Sequence, residues 1–251
     1  MSLEKTEAIV LRTVEWSETS LVVTLFTKDF GKVSAIAKGA RRLKSPFESA
    51  LDLLSLSSVV FIAKSGDTLD LLTEAKLQRR FRSSQIGLLP LYCGYYAAEF
   101  LQTMTENHQP IPGLLELLLQ TIEDLDEQKD PASVTLRFEL HALQKLGLLP
   151  SFEVCIGCGE SIDTTSPTVA LSASGGGVAC RRCSPAQRNV LRIDTNTLQV
   201  LREVSECNPI QELKILTSKS RGELRFVMEH VIGHVTERRL RLIDYLEELK
   251  R

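Results

Sequence analysis

Four of the six cysteines fall into two pairs, Cys155-x2-Cys158 and Cys180-x2-Cys183, separated by 21 residues. Two thiolates held two residues apart by a tight turn can face one centre, and two such turns close a tetrahedron around Zn²⁺. The separation slightly exceeds the roughly 15–20 residues usual for such sites, which a loop-like insert can absorb. Gly157 and Gly159 free the first knuckle to turn, and Gly175, Gly176 and Gly177 do the same before the second. Disulfides are one alternative, but a reducing compartment disfavours them. Unrelated buried thiols are another, but two C-x2-C pairs seldom arise by chance. A catalytic ion needs an open ligand position, which four thiolates do not leave. The deaminase signature is missing too, since no His-x-Glu precedes a Pro-Cys-x-x-Cys. The expectation is one structural zinc on Cys155, Cys158, Cys180 and Cys183.

Other chemistry-bearing residues fall short of a constellation. His230 and His234 stand four apart with Glu229 beside them, but Val231 occupies the position where a metalloprotease motif has its general-base Glu. The glycine run at 175–177 lacks the Lys-Ser/Thr of a phosphate loop, and no nucleophile motif frames any serine. Cys93 and Cys207 are expected as small buried apolar residues. The chain is therefore not expected to be an enzyme. One segment is unusually cationic: Lys38, Arg41, Arg42 and Lys44 fall within seven residues with no acid among them. Gly39 and Ser45-Pro46 make it a loop, and such a loop would either be merely solvated or track phosphates. Arg79, Arg80 and Arg82, with Lys76, form a second cationic cluster.

These residues need a scaffold. Residues 4–76 read as five short strands: Ala8–Val14, Ser20–Thr27, Lys32–Ala37, Ser57–Ala63 and Thr68–Ala75, with turns at Lys28–Gly31 and Lys64–Asp67. Five strands in that length suit a closed oligonucleotide-binding (OB-fold) barrel better than a sandwich. After Ser83 the period becomes helical, over Leu91–Thr105, Gly113–Asp126 and a helix opened by Asp130-Pro131 and ended at Gly147. Residues 151–189 lose periodicity, and helical pattern returns over Thr195–Cys207 and from about Ser220 to Leu249. The fold class expected is α+β: an OB-fold domain over 1–80 and an α-helical domain over 81–251 with a zinc-binding insertion at 151–189.

Bulk properties set limits. Hydrophobic residues make up 43% and charged residues 25% of 251 residues, ordinary for a soluble globular chain. No apolar run of 18 residues predicts a membrane span, and Met1–Glu7 lacks the apolar run of a signal peptide, so a cytoplasmic location is expected. Net charge is −2. Residues 1–80 hold 12 Lys or Arg against 10 Asp or Glu, residues 90–150 hold 3 against 9, and residues 190–251 hold 11 against 10. A nucleic-acid surface is therefore expected at the ends of the chain and not in its acidic middle.

The opening resembles the RecO family of bacterial recombination mediators, through Ala8-Ile9-Val10-Leu11, Glu18-Thr19-Ser20, Leu25-Phe26-Thr27, Gly31 and Ala37-Lys38-Gly39-Ala40-Arg41-Arg42. The stretch Leu146-Gly147-Leu148-Leu149-Pro150, the four cysteines and Gly176-Gly177 resemble the family's zinc-bearing middle. The resemblance implies binding of single- and double-stranded DNA, annealing of complementary strands, partnership with RecR and with the tail of the single-strand-binding protein, and help in loading RecA, in a nucleoid-associated setting. It carries a DNA-contact role to Lys38, Arg41 and Arg42, while Lys44, Arg79, Arg80 and Arg82 join by charge alone. Some family members lack the cysteines, which makes the zinc structural. The segment from about Arg221 to Arg241, with Arg225, Arg238, Arg239 and Arg241, is the candidate surface for the acidic tail. The alternative reading is a zinc-ribbon and OB-fold adaptor in transcription or translation.

Overall fold

The computed structural model describes residues 2–64, 68–82, 87–206, 218–237 and 239–248. The chain forms two compact units, one of Met1–Pro131 with Arg241–Arg251 and one of Ala132–Leu240.

The first unit is built on β1 (Ser2–Glu15), β2 (Leu21–Thr27), β3 (Gly31–Ala37), β4 (Leu56–Ala63) and β5 (Asp70–Arg79), closed into a barrel in the order β1-β2-β3-β5-β4. All pairings are antiparallel except the short parallel β3–β5 contact, Ala35–Ala37 against Asp70–Leu72, which completes the ring. Alternation decides which side chains enter. Along β3, Val33, Ala35 and Ala37 point inward and are fully buried, while the residues between them are half-exposed. Val10, Leu25, Val59, Phe61 and Leu72 fill the remaining interior. Phe47, Ala50 and Leu51, on and before a short 3-10 turn (Glu48–Leu51), stop one end of the barrel.

Two helices, α1 (Leu88–Met104) and α2 (Leu114–Asp126), complete the unit together with the late α6 (Arg241–Glu248). The β1–β2 ladder skips between Val10 and Arg12, and the carbonyl of the bulged Leu11 accepts a hydrogen bond from Gln102 Nε2 on α1 at 2.9 Å. Lys32 on β3 donates to the carbonyls of Gln102, at 2.8 Å, and Thr105, so a cation sits at the C-terminal end of α1. Burial lowers the pKa of this ammonium, against an opposing pull from Glu106.

The second unit holds α3 (Pro131–Lys145), β6 (Thr168–Ser172), β7 (Gly177–Ala179), β8 (Val190–Asp194), α4 (Thr195–Glu206) and α5 (Ser218–Thr236). Pro131 opens α3, and Gly147, at φ +70°, follows its end. Helix α5 joins α3 through Arg225, whose Nη1 reaches both carboxylate oxygens of the fully buried Glu139, at 2.7 and 2.8 Å.

Two expectations need correction. Residues 151–189 contain the strands β6 and β7, and β8 follows directly, in a three-stranded sheet ordered β7-β6-β8. Four of the five β6 residues and all three of β7 are buried, so no polar alternation marked them. The continuous helical stretch from Ser220 to Leu249 is two helices: Glu237 takes a left-handed φ of +53°, and α6 starts afresh with the N–H groups of Arg241 and Leu242 donating to the Glu99 carboxylate at 3.0 and 2.9 Å. That capping carboxylate comes from α1, far away in sequence, so no local signal announced it.

Gly31 offers a test of barrel geometry. Its φ is +65°, and an added Cβ would lie 2.1 Å from the Gln109 carbonyl oxygen. Gly31→Ala should lower unfolding free energy by more than about 2 kcal/mol in urea titration. Gly147→Ala, with φ +70° but open space around it, should lower it by only about 1–2 kcal/mol.

Candidate metal centre and nucleic-acid interface

The four cysteine sulfurs lie within 4.8 Å of one another, and Cys158 and Cys180 Sγ are 3.9 Å apart. A tetrahedral ion with metal–sulfur bonds of about 2.3 Å sets its sulfurs roughly 3.8 Å apart, so the donor set fits. The local chain explains the convergence. In the first knuckle the N–H of Gly159 donates to the Cys155 carbonyl at 2.8 Å, and in the second those of Cys183 and Ser184 donate to the Cys180 carbonyl at 3.0 and 2.9 Å. Strand β7 brings the knuckles together: Ile156 N–H donates to the Val178 carbonyl at 2.9 Å, and Cys180 follows β7 directly. Gly157 is required by space, since a Cβ there would sit 2.8 Å from Cys183 Cβ.

Electrostatics suit thiolate ligation. Burial opposes ionisation of Cys155, but the backbone N–H groups of Cys180 and Gly157 point at its sulfur, at 3.3 and 3.4 Å, and bring its pKa down to about 6. Cys183 is pushed up to about 12, first by its hydrogen bond with Cys180, then by burial and by the other sulfurs. The clustered thiols titrate together, so the first proton leaves readily and the last leaves only when a cation takes its place. The Arg182 guanidinium lies beside Cys158 and pairs with Glu160 at 2.8 Å.

No other group of three or more His, Cys, Asp or Glu side chains among the described residues comes close enough to share an ion. His230 is half-buried and His234 exposed. Cys93 is buried as expected, and Cys207 lies outside the described residues.

The cationic residues lie on the first unit. Lys38, Arg41, Arg42 and Lys44 are all exposed on the loop after β3, which Gly39 turns at φ +76°. Arg41 is partly engaged: it pairs with Glu15 at 2.9 Å, its Nη1 donates to the Ser17 carbonyl at 3.1 Å, and its N–H donates to the Thr19 carbonyl at 3.1 Å. These bonds tie the loop to the β1–β2 turn, which carries Trp16. That indole is 64% exposed, whereas Phe47 is buried and Phe30 packs edge-on against Phe61 at 5.4 Å. Arg80 and Arg82 are exposed beyond the end of β5, but Arg79 is half-buried and pairs with Glu123 at 3.2 Å and Asp126 at 3.6 Å. Of the loop after β3, only Ala40 reaches the cleft of the second cationic cluster. Arg79, Arg80 and Arg82 line a cleft of about 1110 Å³ that Ala40 of the loop also borders, along with Tyr95 and the carboxylates of Asp52, Glu123, Asp126 and Glu127. Those carboxylates went unnoticed in the sequence because they lie on α2 and on the 3-10 turn's exit, far from the arginines in the chain.

The candidate surface for an acidic tail is less available than its composition suggested. Arg225 is engaged by Glu139 and, four residues on, by Glu229 at 3.1 Å, and Arg238 lies outside the described residues.

A closed five-stranded barrel, a helical region and a four-thiolate centre define an OB-fold protein with a metal-binding module. Residues 1–81 match the family model described as Recombination protein O N terminal, and residues 88–242 match Recombination protein O C terminal. The chain is 46% identical over 198 residues to the DNA repair protein RecO of Rhodopirellula baltica, covering 79% of this chain and 73% of that one. It is 32% identical over 200 residues to the RecO protein of Listeria monocytogenes, covering 80% and 76%. With that of Anaeromyxobacter dehalogenans it shares 31% identity over 250 residues, covering 99% and 98%. The chain belongs to the RecO family of DNA repair proteins. Among the described residues, no helix is long and apolar enough to cross a membrane.

The metal centre makes a prediction that separates geometry from ligand count. Purified protein should carry close to one metal ion per chain by elemental analysis. Gly157→Ala keeps all four thiols but crowds Cys183, and should weaken metal retention against a chelator by at least about tenfold. Cys155→Ser should abolish retention and lower the melting temperature, since the binding free energy of such an ion stabilises the fold.

Proposed function

We propose that the chain is a non-catalytic DNA repair and recombination mediator that binds single- and double-stranded DNA, anneals complementary strands and, with RecR, helps load RecA. The observation that carries this reading is the exposure of four cations, Lys38, Arg41, Arg42 and Lys44, on one loop of an OB-fold barrel, with Arg80 and Arg82 exposed beyond the end of β5 on the same unit. Residues 1–80 act as the nucleic-acid-binding domain, and 81–251 as the helical domain carrying the zinc insertion at 151–189. Phosphates bind such a surface with little regard to sequence, releasing condensed counterions. Lys38, Arg42, Lys44, Arg80 and Arg82 supply most of the field, because Arg41 and Arg79 are partly neutralised by Glu15, Glu123 and Asp126. Family membership favours this reading over the adaptor in transcription or translation.

The metal is zinc. Four sulfur donors at tetrahedral spacing suit a borderline-soft ion without geometric preference of its own, and they leave no position for a reacting water. Its contribution is structural. Holding and pairing strands requires no bond chemistry of the chain. The partners are RecR and the acidic tail of the single-strand-binding protein, and the setting is cytoplasmic, at the nucleoid.

The test is a salt titration of single-strand affinity, comparing wild type with Arg42→Ala/Lys44→Ala. Affinity should fall with salt by roughly 0.7 log units per phosphate contact for each decade, and the double variant should flatten that slope by about one to two units. Trp16 is the single tryptophan and stands beside the loop, so its fluorescence should change on binding. Trp16→Ala should leave the salt slope as it was, because stacking releases no counterions. Equal slopes for wild type and double variant would show that the loop is merely solvated.

A further inference from the structure

The second unit carries its own stretch of chain with cations and no acids. Between Thr164 and Ile193 the sequence has four arginines, Arg181, Arg182, Arg188 and Arg192, and no Asp or Glu. The stretch spans β6, β7, the second knuckle and most of β8. Arg182 is engaged, with Nη2 2.8 Å from Glu160 Oε2. Arg181, Arg188 and Arg192 are exposed.

The sheet register places two of these side by side. Ala170 on β6 pairs with Ala179 of β7 on one side and with Arg192 of β8 on the other. Ala179 therefore lies about two strand spacings, roughly 10 Å, from Arg192, and Arg181 follows two residues later, beyond the end of β7. Arg181 and Arg192 both line a single cleft of about 620 Å³, together with the hydroxyl residues Thr165, Ser166, Thr168 and Ser184. Asp163 borders the same cleft, but its carboxylate accepts hydrogen bonds from the N–H and Oγ1 of Thr165, both at 2.8 Å. Two guanidiniums against the one carboxylate of Asp163 make the cleft, which Cys180 also borders, a cationic, hydroxyl-lined recess without aromatic side chains. Guanidinium forks match phosphate oxygens two at a time, and hydroxyls add further bonds to them. Without a stacking platform, such a recess would hold the backbone of a strand and leave its bases free.

We propose that this face of the metal module, centred on Arg181 and Arg192 with Arg188 four residues earlier in the same acid-free run, is a second phosphate-backbone surface for nucleic acid, separate from the barrel loop. The inference rests on the DNA-binding role proposed above and gives it a physical form. Annealing requires that two strands be held without masking their bases, and a chain with one backbone-binding surface on each unit can do that.

The experiment uses the full-length, metal-loaded chain and a fluorescently labelled thymine single strand. Anisotropy titrations across a range of salt compare wild type, Arg181→Ala/Arg188→Ala/Arg192→Ala, the corresponding triple Lys variant and Arg42→Ala/Lys44→Ala. Metal content and melting curves accompany each, and Arg188→Ala/Arg192→Ala, which leaves the neighbours of the metal ligands untouched, serves if the triple Ala variant loses metal. The triple Ala variant should flatten the salt slope by about one to two units and slow annealing of complementary strands at least about fivefold, while the Lys variant keeps the wild-type slope. Unchanged slope and annealing in the folded, metal-loaded variants, alongside weakened binding by the barrel-loop variant, would overturn this second surface and leave the DNA-binding role standing. Absence of DNA binding by wild type would overturn both. If the variants lost affinity only for an acidic peptide, the face would serve a protein partner and the proposal would fail.

Discussion

Strand β1 pairs along both edges, with β4 over its first half and β2 over its second, and the ring closes only because β3 and β5 then meet in a three-residue parallel contact. This closure constrains the rest of the first unit. A ring of five strands has little interior room, and it is filled by Ala8, Ala35 and Ala37 at the narrow positions and by Val, Leu and Phe elsewhere. Charge cannot enter such an interior without a partner, so the cations of the strand connections are directed outward. The bulge at Leu11 and the cation of Lys32 then fix where α1 lies against the barrel. The loop after β3, through Ala40, and the segment after β5, through Arg80 and Arg82, border one cleft although they are far apart in sequence.

The second unit is organised on different principles. Its sheet has only three short strands, close to the fewest that can be stable, and then only with an apolar face covered. The thiolate cluster and the buried Glu139–Arg225 pair compensate, one joining the knuckles and the other joining α3 to α5. Removing one member of such a buried pair leaves an unpaired charge and costs about 3–5 kcal/mol. Within the metal module every acid is excluded between Thr164 and Ile193 while four arginines are kept. A tetrathiolate around a divalent cation carries a net negative charge, and Arg182 beside Cys158 and Glu160 balances part of it locally.

Much of this was legible in the sequence where the signal is local. Alternation in β2, β3 and β4, the turn at Gly31 and the spacing of the cysteines all reflect short-range chemistry, and the structure has a closed barrel and a thiolate cluster where they pointed. What could not be read depends on distant partners. Strands β6 and β7 are buried along nearly their whole length and show no period. The break at Glu237 depends on a cap donated by Glu99, and the partial neutralisation of Arg41 and Arg79 depends on Glu15, Glu123 and Asp126. The acid-free run between Thr164 and Ile193 lies almost wholly between the acidic middle of the chain and its C-terminal segment, so neither segment's charge balance reflects it. The family resemblance supplied roles that neither periodicity nor spacing contains.

The proposed role has this chain hold strands by their phosphates and change their pairing without changing their bonds. The most direct measurement mixes two complementary labelled oligonucleotides with the protein, follows pairing by energy transfer as salt is raised, and weighs the recovered strands by mass spectrometry. The expected result is accelerated pairing that fades as salt rises, with both strands recovered at unaltered mass. Cleaved or modified strands, or acceleration insensitive to salt, would contradict it.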